Sequence, residues 1–348
     1  MSGMPDLVEF LPGTASRSEW ARYHAFRRLE HAEFRPDEPL QPDEVVEVRR
    51  TRPDPFQWRR WFHVIDGDVT VAELAAEGPK PESPEYATNR HLMWAVAYVL
   101  QAHRRRGIAL GMVPCVLDLL EEHGATVLSS VAEDDSGDGL LRRLGAEPKL
   151  SERQSRLDLR QVDWGVVARW IAESEANAGG ARLEQYAQWV PDERLDEYCD
   201  AMNELMNTMP FEGLDHGDIV MSPAGVREWR ERLRLTGSVN PTCLVRDADG
   251  SIVGMTDTLK HEYEPGLVRQ NFTGVHPRAR GRGLGKWLKA AMLQHVHRTY
   301  PDTIWISTEN AGSNAPMLSI NHALGFRLHR TFTFYQIDRE KLRRRVSP

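Results

Sequence analysis

The chain has 348 residues, enough for two ordinary domains, and its 41% apolar and 27% charged residues are typical of globular proteins. A net charge of −7 argues against a nucleic-acid partner held by bulk electrostatic attraction. The longest apolar run (residues 92–100) is too short for a membrane helix, no basic segment with an apolar core opens the chain, and the three cysteines match no metal-site spacing, so we expect a cytoplasmic protein without a membrane or metal partner.

The first half predicts strands and helices around one basic turn. A short strand over residues 7–11 precedes a helix over residues 16–34, whose aromatic side chains share one face. A hairpin over residues 61–75 follows, with Gly67 in its turn. A strand over residues 93–100 then leads into the basic turn, and residues 113–122 have helical spacing.

The boundary between the halves is predicted from a helix that glycines end. Strands over residues 126–131 and 153–159 close the first half, and residues 162–175 then have a helical pattern that stops before Gly179 and Gly180. We interpret this helix as a linker. The predicted domains are residues 1–160, a linker over 161–181, and residues 182–348.

The second half begins again with a strand and a helix, over residues 183–190 and 192–206. A long loop over residues 207–221 follows. Next comes a hairpin about Asp247–Gly250, which is a strong turn signal, and then a strand over residues 268–275.

A glycine- and arginine-rich turn joins that strand to a helix. Pro277 cannot donate the next ladder hydrogen bond, so the strand ends before it. Glycines let a ligand approach the backbone, and successive N–H groups at a helix start form an anion site. Basic side chains neutralise phosphate charge. The turn therefore predicts a diphosphate site, formed by Arg280, Gly281, Arg282, Gly283, Gly285 and Lys286.

The run from Val275 through Pro277 to Arg280-Gly-Arg-Gly-Leu-Gly285 resembles the pyrophosphate-binding signature of the GNAT superfamily of acyl-CoA-dependent N-acyltransferases. A second block resembles the other coenzyme A motif of that family. It consists of a strand over residues 304–310 followed by Asn314, Met317, Asn321 and Leu324-Gly325-Phe326. The two motifs stand in the order that the family requires.

The first half repeats both motifs in degraded form. Arg104 precedes Arg280 by 176 residues, and Gly107, Ala109 and Val99 stand the same distance before Gly283, Gly285 and Val275. Leu144-Gly145-Ala146 precedes Leu324-Gly325-Phe326 by 180 residues. The resemblance therefore implies an α/β chain of two tandem GNAT domains, each a mixed, mostly antiparallel sheet flanked by helices with a splayed central strand pair.

The resemblance also implies a coenzyme A site in the second half. It places a hydrogen-bond donor for the thioester carbonyl at a β-bulge near Gly274 or Val275. The residues implied to bind the cofactor are Val275, His276, Pro277, Arg280, Gly281, Arg282, Gly283, Leu284, Gly285, Lys286, Asn310 and Asn314.

The group that removes the proton from the attacking amine stays open. Glu309, at the end of the second splayed strand, is the first candidate, and Glu262 and His261 are alternatives. Many family members have a tyrosine where this chain has Asn321, and asparagine cannot protonate the leaving thiolate. Either another group does so, with Tyr335 as a candidate, or the thiolate leaves with hydrogen bonds alone.

The first half departs further from the family pattern. Arg105 replaces the glycine found at position 281, Gln101 replaces the proline, and Ala132 with three acidic residues over 133–135 replaces the asparagines. We expect this half to be structural or to hold a non-catalytic acyl-CoA. Its candidate binding residues are Val99, Arg104, Arg106, Gly107, Ile108, Ala109 and Gly111.

The resemblance implies an acetyl-CoA-dependent N-acetyltransferase that acts on a small-molecule amine by direct attack in the second half, as a monomer or homodimer. Two alternatives remain: a non-catalytic acyl-CoA-binding or sensing protein, and a protein lysine acetyltransferase. Fold alone does not identify the amine.

Overall fold

The computed structural model describes residues 6–346. Residues 1–5, which were part of the segment considered for a leader, lie outside the described residues. Between residues 6 and 346, no helix has both the length and the apolar character needed to cross a bilayer.

The strands of the described residues, in chain order, are β1 (Leu7–Phe10), β2 (Gln57–Asp66), β3 (Val69–Pro79), β4 (Leu92–Val99), β5 (Val127–Ala132), β6 (Glu147–Asp158), β7 (Arg182–Tyr186), β8 (Ser238–Val239), β9 (Thr242–Arg246), β10 (Ile252–His261), β11 (Leu267–Val275), β12 (Trp305–Ala311) and β13 (Arg327–Asp338).

The helices are α1 (Arg17–Phe34), α2 (Asp43–Thr51), α3 (Tyr86–Asn89), α4 (Ile108–Gly111), α5 (Val113–Glu122), α6 (Asp135–Leu144), α7 (Trp164–Ala176), α8 (Leu195–Met206), α9 (Pro223–Leu235), α10 (Leu284–Thr299), α11 (Ala315–Leu324) and α12 (Arg339–Val346). Short 3-10 turns occupy Gln101–His103, Leu159–Gln161, Asp192–Arg194 and Pro277–Ala279.

Capping residues set the ends of several helices. Ser16 and Glu19 form a capping box before α1, with Ser16 N donating to Glu19 Oε2 at 2.7 Å. The sequence patterns did not predict α2, α9 or α12, whose surfaces are mostly charged. The start of α9 nevertheless has the usual residue types, since Ser222 is the N-cap and accepts from Gly225 N at 3.1 Å, and Pro223 occupies the first turn.

The described chain forms two compact units. The first unit comprises residues 6–149, 213–218 and 333–346, and the second comprises residues 150–212 and 219–332. These units differ from the predicted division at residues 160–181. Helix α7, predicted as a linker, lies inside the second unit, where Val167 and Trp170 are buried in its core.

In the first unit the strand order is β1-β2-β3-β4-β5, followed by the Thr333–Asp338 part of β13. Neighbouring strands are antiparallel except for the parallel pair β4 and β5. Side chains from the sheet and from α5, α6 and α12 form the core, among them Leu74, Met93, Leu120 and Leu342.

In the second unit the strand order is β6-β12-β11-β10-β9-β7, and β8 pairs with β10. Here β11 and β12 are the parallel pair. Helices α7 and α10 pack on one face of the sheet, around Val268, Leu288 and Ile306. Helix α8 packs on the other face, against Leu244, Met255 and Phe272. Each unit is therefore a mixed, mostly antiparallel sheet flanked by helices, as the resemblance implies.

The closing strands are not where chain order suggests. Most of β6, expected to close the first half, belongs to the second unit and pairs with β12, as in the Leu157–Ile306 pair. The end of β13 pairs instead with β5 in the first unit, as in the Ile337–Leu128 pair. A strand's residue pattern specifies its buried face but not the sheet edge it joins.

Candidate functional site

The parallel pair β11 and β12 of the second unit separates midway. Their ladder ends at Gln270 and Thr308, and within the described chain residues 271–275 of β11 and 309–311 of β12 do not pair with each other. Instead β11 continues its pairing with β10, and β12 continues its pairing with β6. The splayed strand pair expected from the sequence is therefore present, and it leaves an opening between the two strands.

A β-bulge lies on β11 at the start of this opening. Asn271 and Phe272 together occupy the place opposite Asp257, and Asp257 accepts from Asn271 Nδ2 at 3.0 Å and from Phe272 N at 2.9 Å. Gly274 and Val275 pair regularly with β10. The bulge therefore precedes Gly274 and Val275, and the donor expected near these two residues stays a prediction.

The N–H of Val275 nevertheless faces the opening. His276 N donates to Val253 O of β10 at 2.8 Å. Successive N–H groups of a strand point to opposite sides, so the N–H of Val275 points away from β10, to the side that β12 has left.

The turn after β11 leads directly to the start of α10. Arg280 Nε donates to Val275 O at 3.2 Å and closes the turn. Gly281 has a φ of +79° and Gly283 a φ of +78°, a region that favours glycine. Gly283 is the N-cap of α10, and among residues 6–346 no side chain caps it. The first N–H groups of α10 are therefore presented to an anion.

The basic side chains of the turn are partly committed elsewhere. Arg282 binds both carboxylate oxygens of Asp247, at 2.8 and 3.1 Å, and donates to Ala178 O at 2.7 Å. The hydrogen bond from Arg282 lowers the pKa of Asp247. Lys286 Nζ lies 5.2 Å from the centre of the Trp170 ring. The charge of Arg282 is thus largely offset by Asp247.

Two asparagines follow the split on β12 and at the start of α11. Asn310 Oδ1 accepts from Asn321 Nδ2 at 2.7 Å, and Asn321 is only 2% exposed. Asn314 caps α11 through Met317 N at 3.3 Å. Asn321 therefore orients Asn310 through this hydrogen bond.

Glu309 is the first residue of β12 beyond the ladder, and it is exposed. Gln154 of β6 donates to its Oε1 at 2.8 Å. Glu152, two residues earlier on β6, was not predicted as a site residue. Its burial and the negative charge of Glu309 raise the pKa of Glu152 to about 7. Sequence reasoning missed it because β6 was expected to belong to the other half.

Three other candidates lie away from the split. Tyr335 is buried in the core of the first unit, where its hydroxyl donates to Asp138. Val275 and Glu309 belong to the second unit. His261 and Glu262 follow Lys260, which pairs with Val268 near the start of β11, the end opposite the split.

The first unit repeats the turn geometry. Arg104 Nε donates to Val99 O at 2.9 Å, and Gly107, with a φ of +84°, is the N-cap of α4. Arg105 has a φ of +63° at the place of Gly281. Of the other candidates, Arg106 is exposed, and Ile108, Ala109 and Gly111 lie in the short helix α4.

Acidic residues of the first unit are paired with its basic ones. Asp134 accepts from Arg104 at 3.0 Å and caps α6 through Gly137 N at 2.7 Å. Glu133 accepts two hydrogen bonds from Arg35, at 2.7 and 2.8 Å. The arginine that corresponds to Arg280 is thus neutralised.

An apolar cavity of about 80 Å³ lies where β4 and β5 part in the first unit. The ladder of these strands ends at Trp94 and Ser129. The cavity is lined on the two strands by Ala95, Ala97, Ser130 and Val131, and on the helical side by residues that include Ala109, Met112 and Leu140.

Comparison with known proteins assigns a family model to the second half. Residues 200–325 match the model described as the acetyltransferase (GNAT) family. A search of curated protein sequences finds no match.

Solved structures resemble nearly the whole chain. A tandem GNAT protein from the clavulanic acid biosynthesis pathway has a TM-score of 0.74 and 21% identity, over 96% of this chain and 98% of that one. A GCN5-related N-acetyltransferase from Sphaerobacter thermophilus has a TM-score of 0.64 and 14% identity, over 97% of each chain. A glucosamine N-acetyltransferase region of a fungal β-N-acetylglucosaminidase has a TM-score of 0.66 and 10% identity, over 97% of this chain and 38% of that one. At these identities the likeness shows a shared fold.

Proposed function

We propose that the protein transfers the acetyl group of acetyl-CoA to the amine of a small molecule, because residues 200–325 match the acetyltransferase (GNAT) family model and the chain shares the fold of a tandem GNAT protein. The reaction takes place in the second half. The observation that carries the proposal is the split of β11 and β12 directly before the glycine turn. It sets an opening for a thioester beside a helix start suited to a diphosphate.

The residues of the turn fit the diphosphate of coenzyme A. The positive φ angles of Gly281 and Gly283 hold the backbone in a curve that an L side chain would strain. A Cβ on Gly285 would lie 3.3 Å from Ile320 Cδ1, so this position also favours glycine. The N–H groups at the start of α10 then hold the diphosphate, supported by the charges of Arg280 and Lys286.

The end of β11 would hold the pantetheine arm and the thioester. Residues 275–277 and Asn310 line this path, with Asn314 at the start of α11. Bound acetyl-CoA supplies an activated acyl group, and the N–H of Val275, which faces the opening, donates to the carbonyl oxygen as negative charge develops there.

Glu309 is the proposed proton acceptor for the attacking amine. As the N–C bond forms and the C–S bond breaks, a proton leaves the nitrogen for the carboxylate. The departing thiolate needs no dedicated acid, since an ordinary thiol has a pKa of about 8.5. This agrees with Asn321 in place of tyrosine.

The first unit is proposed not to catalyse. Asp134 neutralises Arg104, which corresponds to Arg280. The cavity between β4 and β5 leaves room for part of a bound acyl-CoA as a structural ligand. The cytoplasmic location and the monomeric or homodimeric state remain predictions.

Native mass spectrometry with acetyl-CoA tests the cofactor sites. The wild type is compared with Gly283→Trp and Gly107→Trp, a matched pair that blocks one turn each. We expect Gly283→Trp to lose one bound acetyl-CoA that Gly107→Trp retains. A wild type that binds no acetyl-CoA, or a Gly283→Trp variant that binds as the wild type does, contradicts the proposal.

Turnover then separates the alternatives. Release of coenzyme A is measured with a panel of small amines and with lysine-containing peptides. Acetylation of small amines supports the proposal. Activity on peptides alone indicates a protein lysine acetyltransferase, and binding of acetyl-CoA without any turnover indicates a sensor.

A further inference from the structure

Two carboxylates meet on one face of neighbouring strands beside the split. In the antiparallel pair β6 and β12, Gln154 lies opposite Glu309, and Glu152 lies opposite Ala311. Alternate residues of a strand share a face, so Glu152, Gln154 and Glu309 lie together. Asn310 points to the other face, where its side chain contacts α11.

Gln154 provides an independent sign of a ligand at this place. It is only 7% exposed, and its Nε2 donates to Glu309 Oε1 at 2.8 Å. Its Oε1 is buried and has no hydrogen-bond partner among the described residues. Leaving a buried acceptor unpaired is unfavourable for the folded protein, because the acceptor has lost its hydrogen bonds to water. A ligand that donates a hydrogen bond beside Glu309 would remove this cost.

The chemistry of the site selects a cation. Glu152, Glu309 and the free oxygen of Gln154 are all acceptors, and an alkylammonium group carries three donors. Burial and the adjacent negative charge of Glu309 raise the pKa of Glu152 to about 7. Two neighbouring carboxylates repel each other when both are ionised. A bound cation relieves this repulsion.

We propose that Glu152, Glu309 and Gln154 bind the acceptor as a protonated primary alkylamine, and that Glu152 removes its proton before attack. The inference rests on the acetyl transfer proposed above and specifies both its acceptor class and a further catalytic residue. That residue comes from β6, a strand that chain order assigns to the other half of the protein.

In the proposed reaction, the ammonium R–NH₃⁺ gives one proton to the Glu152 carboxylate, and the free amine attacks the thioester carbon. The N–C bond forms and the C–S bond breaks. The second proton passes from nitrogen to the Glu309 carboxylate and from there, directly or through water, to the thiolate, and Glu152 returns its proton to solvent. The products are the N-acetyl amide, coenzyme A thiol and one proton.

Steady-state kinetics test the acceptor class and the residue. Primary alkylamines such as 1,4-diaminobutane and 2-aminoethanol are compared with aniline, which is uncharged at neutral pH. We expect turnover of alkylamines only. Glu152→Gln should lower kcat at least about 100-fold, the usual contribution of a general base, while acetyl-CoA affinity stays within about twofold. Glu193→Gln, an exposed carboxylate of the same unit, is the matched control.

The pH profile gives a readout that a structural defect would not move. The base must be deprotonated, so kcat/KM of the wild type should rise as pH increases through about 7. In Glu152→Gln this limb should vanish, because the variant lacks the carboxylate that must be deprotonated. The other charged residues on β6 and the adjoining part of β13 in this unit are Arg153, Arg156, Asp158, Arg327, His329 and Arg330.

Calorimetric binding of 1,4-diaminobutane keeps the two proposals apart. If the wild type binds 1,4-diaminobutane and Glu152→Gln binds it at least tenfold more weakly, the ammonium site is supported. This holds even if no acetyl transfer is found, in which case the proposed function alone fails.

The inference is overturned if both proteins bind 1,4-diaminobutane equally or if the wild type does not bind it. It is also overturned if aniline is turned over equally, or if Glu152→Gln has an unchanged kcat and pH profile.

Discussion

Arg280 Nε donates to the backbone carbonyl of Val275 at 3.2 Å, and Arg104 makes the same contact with Val99 at 2.9 Å. In both halves the arginine side chain therefore donates to the backbone carbonyl of the residue five positions earlier, at the end of the strand. This hydrogen bond fixes the angle between the end of the strand and the turn that follows it. The N–H of Val275 and the start of α10 depend on that angle for their position.

Removing this contact should weaken cofactor binding. Arg280→Ala loses the bonds to Val275 and to Thr208 Oγ1. A hydrogen bond from a charged group contributes about 1.5 kcal/mol, so we expect the Kd for acetyl-CoA to rise about tenfold or more by calorimetry. Arg298→Ala, an exposed residue of the last turn of α10, should bind as the wild type does. Equal affinity of Arg280→Ala and wild type would show that the contact has no such role.

Arg105 should be replaceable by glycine with a gain in stability. Its φ of +63° costs a non-glycine residue about 1 kcal/mol, and the corresponding residue in the other half is Gly281. We expect Arg105→Gly to raise the free energy of unfolding of the first unit by about 0.5–1 kcal/mol in urea. Arg106→Gly is the control, because Arg106 has no positive φ, and it should not stabilise. If Arg105→Gly instead lowers the free energy of unfolding, the contacts of the Arg105 side chain contribute more stability than its positive φ costs.

Lys289 should make stability depend on pH. It is 2% exposed, donates to Gln270 Oε1 at 2.9 Å, and burial lowers its pKa to about 7. Between pH 7 and about 10.4 the unfolded chain binds a proton that the folded chain does not, so stability rises with pH across this window. The linkage amounts to at most about 5 kcal/mol.

Lys289→Met removes this linkage. We expect its thermal midpoint to exceed that of the wild type most clearly at pH 7, with the difference shrinking by pH 9.5. Lys341→Met, which removes an ion pair with Glu147 at the surface, should show no such trend. A constant difference between Lys289→Met and wild type at both pH values would contradict the assigned pKa.

The first half should not fold when the chain is cut at the predicted boundary. A fragment of residues 1–160 lacks Thr333–Asp338, which pairs with β5, and Leu342, which is buried in the core of the first unit. We expect no cooperative unfolding transition by circular dichroism. Joining residues 333–346 to residues 1–149 through a flexible linker should restore one. Cooperative unfolding of the fragment of residues 1–160 would show that residues 333–346 are not needed for the first unit to fold.

Much of the candidate site was predictable from local sequence. The glycines at positions 281 and 283 have positive φ angles, and Pro277 ends the strand, as the residue types require. Asn310 was predicted from its motif, although its bond to Asn321 was not. The repeat of the turn at Arg104 and Gly107 also follows from residue spacing.

Other features were not local and were missed or misplaced. The bulge at Asn271 and Phe272 depends on the carboxylate of Asp257, fifteen residues from Phe272 along the chain. Tyr335 was a candidate acid because it closes the second half in chain order, yet it packs in the first unit. The amine that the site accepts follows from neither motif.

The sequence by itself determined the repeated turn and several helix and strand ends, because residue types over a few positions decide φ, capping and where a strand stops. Only the tertiary structure decided which closing strand joins which sheet. That choice depends on edge pairing between residues more than 100 positions apart, such as Glu309 and Gln154. It brings Glu152 beside Glu309, a relationship to which no local pattern points.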